Sequence, residues 1–247
     1  MKIKFLILAL ALTFQTFAME SENIEASKLL LSLEIDESKS IRENFSILLH
    51  SHINRFVDKQ GYQILLNTKI IELMKKYFSI VKINQEFIEI AKNKSTQSYF
   101  ARSFAKFLIS LGADINAVDE FGNNALIYAC GNDLYYLVTL YVELGINIEK
   151  NSNQELTALC IAATLENSMI LRYLLDKGAN VNPKTAKSPL HMAIEYNRQE
   201  NANILIEADA DIYELNEFEQ TPLIAAQFNL LASTTEQIKN KLTAQNQ

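Results

Sequence analysis

The sequence has 247 residues, of which 49% are hydrophobic and 21% charged, as in a globular protein with a sizeable core. Its 6 glycines and 3 prolines fall well below the roughly 17 and 12 of average usage, which predicts a nearly all-helical chain. The formal net charge is −6 and no run of lysine or arginine offsets it, which argues against nucleic acid and against an anionic membrane surface as partners.

The first 18 residues have the pattern of a secretory signal peptide. A short basic start precedes the apolar run 5–14, and small residues precede a cleavage point after Ala18. An uncleaved membrane anchor is the alternative, but the run has about 10 residues where about 20 are needed to span a bilayer. We therefore expect export, to the periplasm or out of the cell, and no stable membrane insertion after cleavage.

Residues 19–95 carry no repeated motif, and their apolar residues recur at helical spacing. This pattern predicts four helices, and Asn84 is a suitable N-cap for the last one. The four helices are expected over 21–34, 39–60, 62–81 and 84–94. We interpret 19–95 as a helical N-terminal capping region, because the open end of a repeat stack would otherwise expose its core. An independent functional domain is the alternative.

From residue 124 onward a hexapeptide recurs four times, in its fullest form as Ser-Pro-Leu-His-Met-Ala at 188–193. Successive copies are separated by 33, 31 and 33 positions, and they begin at Asn124, Thr157, Ser188 and Thr221. In three units a glycine, or an aspartate in its place, follows the motif start by 21 positions, at Gly145, Gly178 and Asp209. Two features that recur at a fixed offset indicate a structural repeat.

A repeat of this length built on Thr-Pro-Leu-His-x-Ala resembles the ankyrin repeat, which has a β-turn and two helices in each unit. The opening serine or threonine suits a helix N-cap, the proline suits the first helical position, and the glycine suits the left-handed residue that ends the second helix. The resemblance implies an all-α ankyrin-repeat solenoid of helix-turn-helix units with β-hairpin-like fingers, preceded by the N-terminal helical cap. We expect repeats over 96–242 and a frayed tail at 243–247. The units span about 91–123 (irregular), 124–156, 157–187, 188–220 and 221–242 (a C-terminal cap).

Three places depart from the regular pattern. The segment 91–97 is polar where an inner helix is expected, so either 84–94 serves as that helix or the stack begins with half a unit. The third finger is two residues short and carries Pro183, which predicts a truncated finger. Near the C-terminus, Ser233 and Glu236 have the spacing of a capping box that opens a polar final helix over 235–242.

No residue pattern in the sequence indicates catalysis, a cofactor or a metal site. The resemblance implies that His191 is a structural hydrogen-bonding residue, and no nucleophile accompanies it. His50 and His52 fall about 200° apart on a helix, so we do not expect them to share a metal. Cys130 and Cys160 occupy different heights on adjacent inner helices, and we expect two free, buried thiols rather than a disulfide.

Proteins of the family that this sequence resembles bind other proteins through the finger tips and the concave face of the inner helices. The expected partner-binding residues are therefore those at the finger tips: Val118, Glu120, Phe121, Lys150, Asn151, Asn153, Lys184, Leu215, Glu217 and Phe218. Phe121 and Phe218 are candidate interface anchors, because aromatic side chains dominate binding hot spots. Alternatively, both rings fold back onto a neighbouring repeat.

These patterns together predict an exported bacterial scaffold for protein–protein interaction that is monomeric, has no enzyme activity and binds a protein partner. A host-directed effector is one version of this function, and a periplasmic binding protein is another. The alternative is an enzyme whose activity lies in 19–95 and whose repeats recruit the substrate.

Overall fold

A computed structural model describes residues 79–94, 98–185 and 187–245. The predicted signal peptide, most of the predicted capping region and the end of the predicted tail lie outside these ranges. The described residues hold ten α-helices and no β-strand, which agrees with the composition. The helices are α1 (Ile80–Lys92), α2 (Ser98–Ser110), α3 (Ala125–Gly131), α4 (Tyr135–Glu143), α5 (Ala158–Ala163), α6 (Met169–Asp176), α7 (Pro189–Glu195), α8 (Gln199–Glu207), α9 (Pro222–Phe228) and α10 (Ala232–Gln245).

Contacts divide the described residues into two compact units. The smaller unit holds 79–86 and 106–113. The larger unit contains all of helices α3 to α10, and it spans 87–94, 98–105, 114–185 and 187–245.

Helices α3 to α10 form four helix pairs, one in each repeat of the motif. The inner helices α3, α5, α7 and α9 contact one another in chain order, and each also contacts the outer helix that follows it. Alanine is frequent on the inner helices, where small side chains let neighbouring backbones approach closely. The buried alanines of these helices include Ala129, Ala162, Ala163, Ala193 and Ala226.

Each inner helix begins at the residue that the motif predicts. The side chain of the first residue of each motif accepts a hydrogen bond from the backbone N–H of the residue three positions later. It thereby satisfies a first-turn N–H that has no partner within the helix. These N-caps are Asn124 (3.0 Å), Thr157 (3.3 Å), Ser188 (3.4 Å) and Thr221 (3.4 Å). Pro189 and Pro222 follow in the first turn, where the missing N–H loses no helical bond. The predicted caps are confirmed.

The outer helices end as predicted, in a left-handed residue. Gly145 and Gly178 have φ angles of 87° and 84°, and Asp209 takes the same place in the next repeat with φ 66°. The residue that follows each of them donates its backbone N–H to the carbonyl of the residue five positions before it. This bond satisfies a carbonyl in the last turn of the helix that would otherwise lack a partner.

A finger connects each outer helix to the next inner helix. The described residues of the four fingers are 114–123, 147–156, 180–185 with 187, and 211–220. In the first, second and fourth fingers, one residue forms two backbone hydrogen bonds. Its N–H donates to the carbonyl of the residue four positions later, and its own carbonyl accepts from the N–H of the residue three positions later. These residues are Asp119, Ser152 and Asn216. In the third finger, Thr185 instead bonds to the carbonyls of Pro183 and Lys187. The expected truncation of the third finger is confirmed.

The predicted break between helices 62–81 and 84–94 is wrong. Helix α1 begins at Ile80 and runs through Asn84, and Ser79 accepts the hydrogen bond of a first-turn N–H at its N-terminus. Ile83, Phe87 and Ile90 are all buried, so one apolar stripe crosses the expected break and favours a continuous helix.

Helix α1 occupies the inner position of the irregular first unit. Asn132 donates from Nδ2 to the carbonyl of Ala91 at 2.8 Å. Asn229 makes the same contact with Ile194 of the preceding inner helix at 3.0 Å. The parallel favours the first of the two alternatives, in which the 84–94 region serves as the inner helix before a longer connection.

The predicted capping box at Ser233 and Glu236 is also wrong. Helix α10 begins at Ala232, so Ser233 lies in its first turn rather than before it. The backbone N–H of Ser233 donates to Gln199 Oε1, and the Ser233 hydroxyl accepts from Asn203 Nδ2. Both partners lie on α8. Partners from the preceding outer helix thus replace the local cap, and α10 is longer at both ends than the predicted 235–242.

Candidate functional site

A groove of about 400 Å³ lies between the last two inner helices and the fourth finger. Helix α7 and its cap supply one part of the lining, α9 supplies another, and the fourth finger supplies the rest. The side chains that give the groove its character are Lys187, His191, Glu195, Glu214, Leu215, Glu217, Phe218 and Phe228.

Three large apolar side chains of the groove are exposed to solvent. Phe218 is 70% exposed on the fourth finger, Phe228 is 79% exposed at the end of α9, and Leu215 is 58% exposed. Contiguous exposed apolar surface in a soluble domain usually marks an interaction site. The groove therefore presents the kind of side chain that anchors a bound partner.

Lys187 connects helix α7 to the fourth finger. Its Nζ lies 3.1 Å from Glu195 Oε2 and 3.0 Å from Glu217 Oε1. The hydrogen bonds to Glu217 and then Glu195 raise the pKa of Lys187, so its ammonium is charged at neutral pH. The positive charge in the groove is therefore already shared by two carboxylates.

Glu214 is the half-buried carboxylate of the fourth finger. Burial raises its pKa, and a hydrogen bond with the Ser188 hydroxyl opposes that effect. Within the part of the chain that the structure describes, no lysine or arginine forms an ion pair with Glu214. The groove thus contains one carboxylate whose charge no neighbouring cation balances.

His191 lies in the floor of the groove and is only 5% exposed. Its Nδ1 lies 2.9 Å from the Ser188 hydroxyl, so the ring belongs to the cap of α7. Burial lowers the pKa of His191, and an interaction with the backbone of Gln220 in the fourth finger opposes the shift. This placement agrees with the structural role that the sequence motif implied.

Family comparison agrees with this architecture. Residues 93–185 and 135–216 match the model described as "Ankyrin repeats (3 copies)", and the two matches together span half of the chain. The chain belongs to the ankyrin-repeat family. The all-α ankyrin fold predicted from the motif is thereby confirmed, and ankyrin repeats form protein-interaction scaffolds.

Two curated relatives are similar to part of the chain. The chain is 27% identical to an L-asparaginase of Dirofilaria immitis over 120 residues, which are 48% of this chain and 20% of that protein. It is 37% identical to the ankyrin repeat and KH domain-containing protein mask of Drosophila melanogaster over 105 residues, which are 41% of this chain and 3% of that protein. The chain thus spans a fifth or less of the length of these relatives.

The ankyrin fingers bring three of the predicted partner-binding residues to the groove, namely Leu215, Glu217 and Phe218. The other seven lie on the first three fingers: Val118, Glu120, Phe121, Lys150, Asn151, Asn153 and Lys184. Both candidate anchors expose most of their surface, because Phe121 is 58% exposed and Phe218 is 70% exposed. Contact of these ten residues with a partner stays a prediction.

Asn153 is engaged with the neighbouring finger. Its backbone N–H donates to the carbonyl of Phe121 at 2.9 Å, and its Nδ2 donates to the carbonyl of Glu120 at 3.0 Å. The second finger thereby positions the tip of the first.

Phe228 and Glu214 belong to the groove, but the sequence interpretation did not include them. The signal for Phe228 was available, because the same place in the earlier inner helices holds Gly131, Thr164 and Glu195. A large aromatic residue where the other repeats have small or polar ones indicates a special surface. No comparable pattern in the sequence distinguishes Glu214. Its role in the groove depends on its partial burial and on the pairing of Lys187 with Glu195 and Glu217.

Other classes of site find no support in the described residues. Among 79–94, 98–185 and 187–245, no cluster of histidine, cysteine or carboxylate side chains is arranged to hold a metal ion. Cys130 and Cys160 are free and buried, as predicted, and burial raises the pKa of the Cys130 thiol. None of the helices in these ranges has the length and apolar content needed to cross a membrane.

Proposed function

We propose that this ankyrin protein is an exported, monomeric scaffold that binds a partner protein in the groove of its last two repeats. The observation that carries the proposal is the exposure of Phe218 and Phe228 on two different elements of one concave site. Burying both rings against a partner would remove a large apolar surface from water, which is the main favourable term in association.

The groove is suited to binding rather than to chemistry. Its histidine is held in a helix cap, and its lysine is paired with two carboxylates, so neither side chain is poised as a base or nucleophile. The similarity to L-asparaginase covers only 20% of that protein, which is too small a part to support a shared hydrolytic activity. The alternative of an enzyme in 19–95 stays a prediction, and most of that segment lies outside the described residues.

Partner capture tests the binding proposal. The full chain and its Phe218→Ala/Phe228→Ala variant are used as baits in the cells that produce the protein, and captured proteins are quantified. Because both rings are mostly exposed, we expect an unchanged melting temperature and loss of the specifically captured protein. Met169→Ala, which changes a 51% exposed side chain at the start of outer helix α6, is the control. Equal capture by the double variant would refute groove binding.

Export is a separate part of the proposal and rests on the signal-peptide pattern of residues 1–18. We propose that cleavage after Ala18 releases a chain that begins at Met19, in the periplasm or outside the cell. Cell fractionation followed by intact-mass measurement tests this. A chain that begins at Met19 in the culture medium or in a host cell supports the host-directed version, and one in the periplasm supports an envelope partner. An uncut chain in the cytoplasm contradicts export.

A further inference from the structure

The charges of the groove are unequally matched. Its lining contains three carboxylates, on Glu195, Glu214 and Glu217, and a single ammonium on Lys187. Because Lys187 bonds to Glu195 and Glu217, it connects the wall of α7 to the fourth finger and leaves Glu214 unbalanced within the described residues. The groove therefore carries net negative charge in a partly enclosed place.

Partial burial strengthens the effect of that charge. A carboxylate that has lost part of its hydration gains more from an incoming cation than a fully solvated one, because the effective dielectric constant around it is lower. Burial already raises the pKa of Glu214, and the Ser188 hydroxyl offsets this only in part. A cation delivered by a ligand would supply the missing stabilisation.

The apolar rim fits the rest of such a ligand. Phe218, Phe228 and Leu215 are exposed and line the same cavity as Glu214. Aromatic faces attract lysine and arginine cations, and the long aliphatic stems of these residues pack well on apolar surface.

We propose that the groove binds a peptide segment of the partner in which a lysine or arginine stands next to aromatic or aliphatic residues, with the cation paired to Glu214 and the apolar neighbours against Phe218 and Phe228. This inference rests on the proposed function and names the chemistry of the bound segment. The net charge of −6 on the whole chain assists it, since a negative protein attracts basic segments over longer distances.

Peptide selection tests the proposal without knowledge of the partner. Random-sequence peptides displayed on phage are selected on the full chain and, in parallel, on its Phe228→Ser variant. We expect the full chain to enrich peptides that combine a basic residue with adjacent apolar residues, and the Phe228→Ser chain to lose them. An enriched peptide is then synthesised for affinity measurements at low and high salt.

Single substitutions separate the charge from the apolar contacts. Glu214→Gln keeps the hydrogen-bonding shape but removes the charge, and we expect it to weaken binding about tenfold. Lys187→Gln frees Glu195 and Glu217, so we expect it to tighten binding about threefold, a direction that structural damage would not produce. Glu219→Gln is the matched control, because Glu219 belongs to the same finger but does not line the groove. Melting temperatures verify that each variant is folded.

The outcomes distinguish this inference from the proposed function. If Phe228→Ser abolishes binding while Glu214→Gln and added salt do not weaken it, the groove is a binding site but its selectivity for basic segments is refuted. Enrichment of acidic or purely apolar peptides would likewise refute the selectivity for basic segments. If no peptide depends on Phe228, both the inference and the proposed groove function are refuted.

Discussion

At the scale of single residues, Asp119 ties the first finger to the end of α1. Its carboxylate accepts hydrogen bonds from the Tyr128 hydroxyl at 2.5 Å and from the backbone N–H groups of Phe121 and Asn123 at 3.0 and 3.1 Å. Lys92 Nζ lies 3.3 Å away. Burial alone would raise the pKa of Asp119, but the bonds outweigh it and hold the pKa below its ordinary value.

Replacing this carboxylate should give a destabilisation that depends on pH. The lowered pKa means that the folded state gains stability from ionised Asp119 above the pKa of the unfolded chain, and that this gain disappears as the pH falls through the folded pKa. We expect Asp119→Asn to lower the free energy of unfolding by about 1–2 kcal/mol near neutral pH, with a smaller difference below about pH 4. Urea unfolding at both pH values measures this. A difference that stays constant with pH would contradict the assignment.

Leu230 is in an unfavourable backbone conformation for its residue type. Its φ is 58° and its side chain is 87% exposed, so neither backbone preference nor burial supports leucine there. Two earlier repeats place Asp133 and Asn197, with φ of 55° and 56°, in the corresponding turn. Aspartate and asparagine tolerate the left-handed region better than leucine does.

We therefore expect Leu230→Asn to raise the free energy of unfolding by about 0.5–1 kcal/mol. Thermal unfolding monitored by circular dichroism checks the gain. Leu144→Asn is the matched control, because Leu144 is also partly exposed at a helix end but has the right-handed φ of −79°. No stabilisation, or an equal one from both variants, would show that backbone strain at Leu230 is not the cause.

At the scale of elements, polar side chains bind each finger to the next. Asn116, Glu149 and Asn182 lie 33 residues apart, and each accepts a hydrogen bond from a backbone N–H of the following finger at 2.8–2.9 Å. Since these bonds recur at the repeat interval, they fix the spacing between neighbouring units. Stability is thereby transmitted from one repeat to its neighbour, as in other repeat arrays.

The first and second fingers approach each other closely at Gly122. Its φ is 71°, and a Cβ added there would lie 2.3 Å from Asn153 Oδ1 and 2.9 Å from the Asn153 backbone nitrogen. At Gly145, φ is 87° and a Cβ would meet nothing within 4 Å. The two glycines therefore share a backbone requirement but differ in the space around them.

This pair permits a controlled test of finger-to-finger packing. We expect Gly145→Ala to lower the free energy of unfolding by about 1 kcal/mol through backbone strain alone. Gly122→Ala should lower it by about 2–3 kcal/mol, because strain and overpacking against Asn153 act together. Chemical denaturation of both variants gives the comparison. Equal losses would show that the second finger yields without penalty and that the contact is not tight.

Local chemistry explains which elements could be predicted from the sequence. The caps at Asn124 and Thr221, the left-handed ends at Gly145 and Asp209, and the short third finger depend on residues close in the chain, so their patterns were sufficient. The start of α10 was missed because Gln199 and Asn203 of another helix bind Ser233. These partners come from a neighbouring repeat, so the residues close to Ser233 in the sequence do not indicate them.

At the scale of the whole molecule, the position of the groove follows from the order of repeats. The third place after each cap is buried in the first three units, at Ile127, Cys160 and His191, but Ile224 is 48% exposed in the last one. The finger tips were predictable as binding candidates because the ankyrin pattern places them. The concentration of exposed apolar surface on α9 and the fourth finger was not, because it depends on how side chains that are distant in the sequence pack together.

The central claim is that partner contact is concentrated at this groove. The most direct measurement is site-specific photocrosslinking in the cells that produce the protein, with a benzophenone-bearing side chain in place of Phe228 in one chain and in place of Met169 in another. We expect a discrete crosslinked partner from position 228 and none from position 169 on the outer helix. A partner captured from position 169 as readily as from 228, or no crosslink at 228, would contradict it.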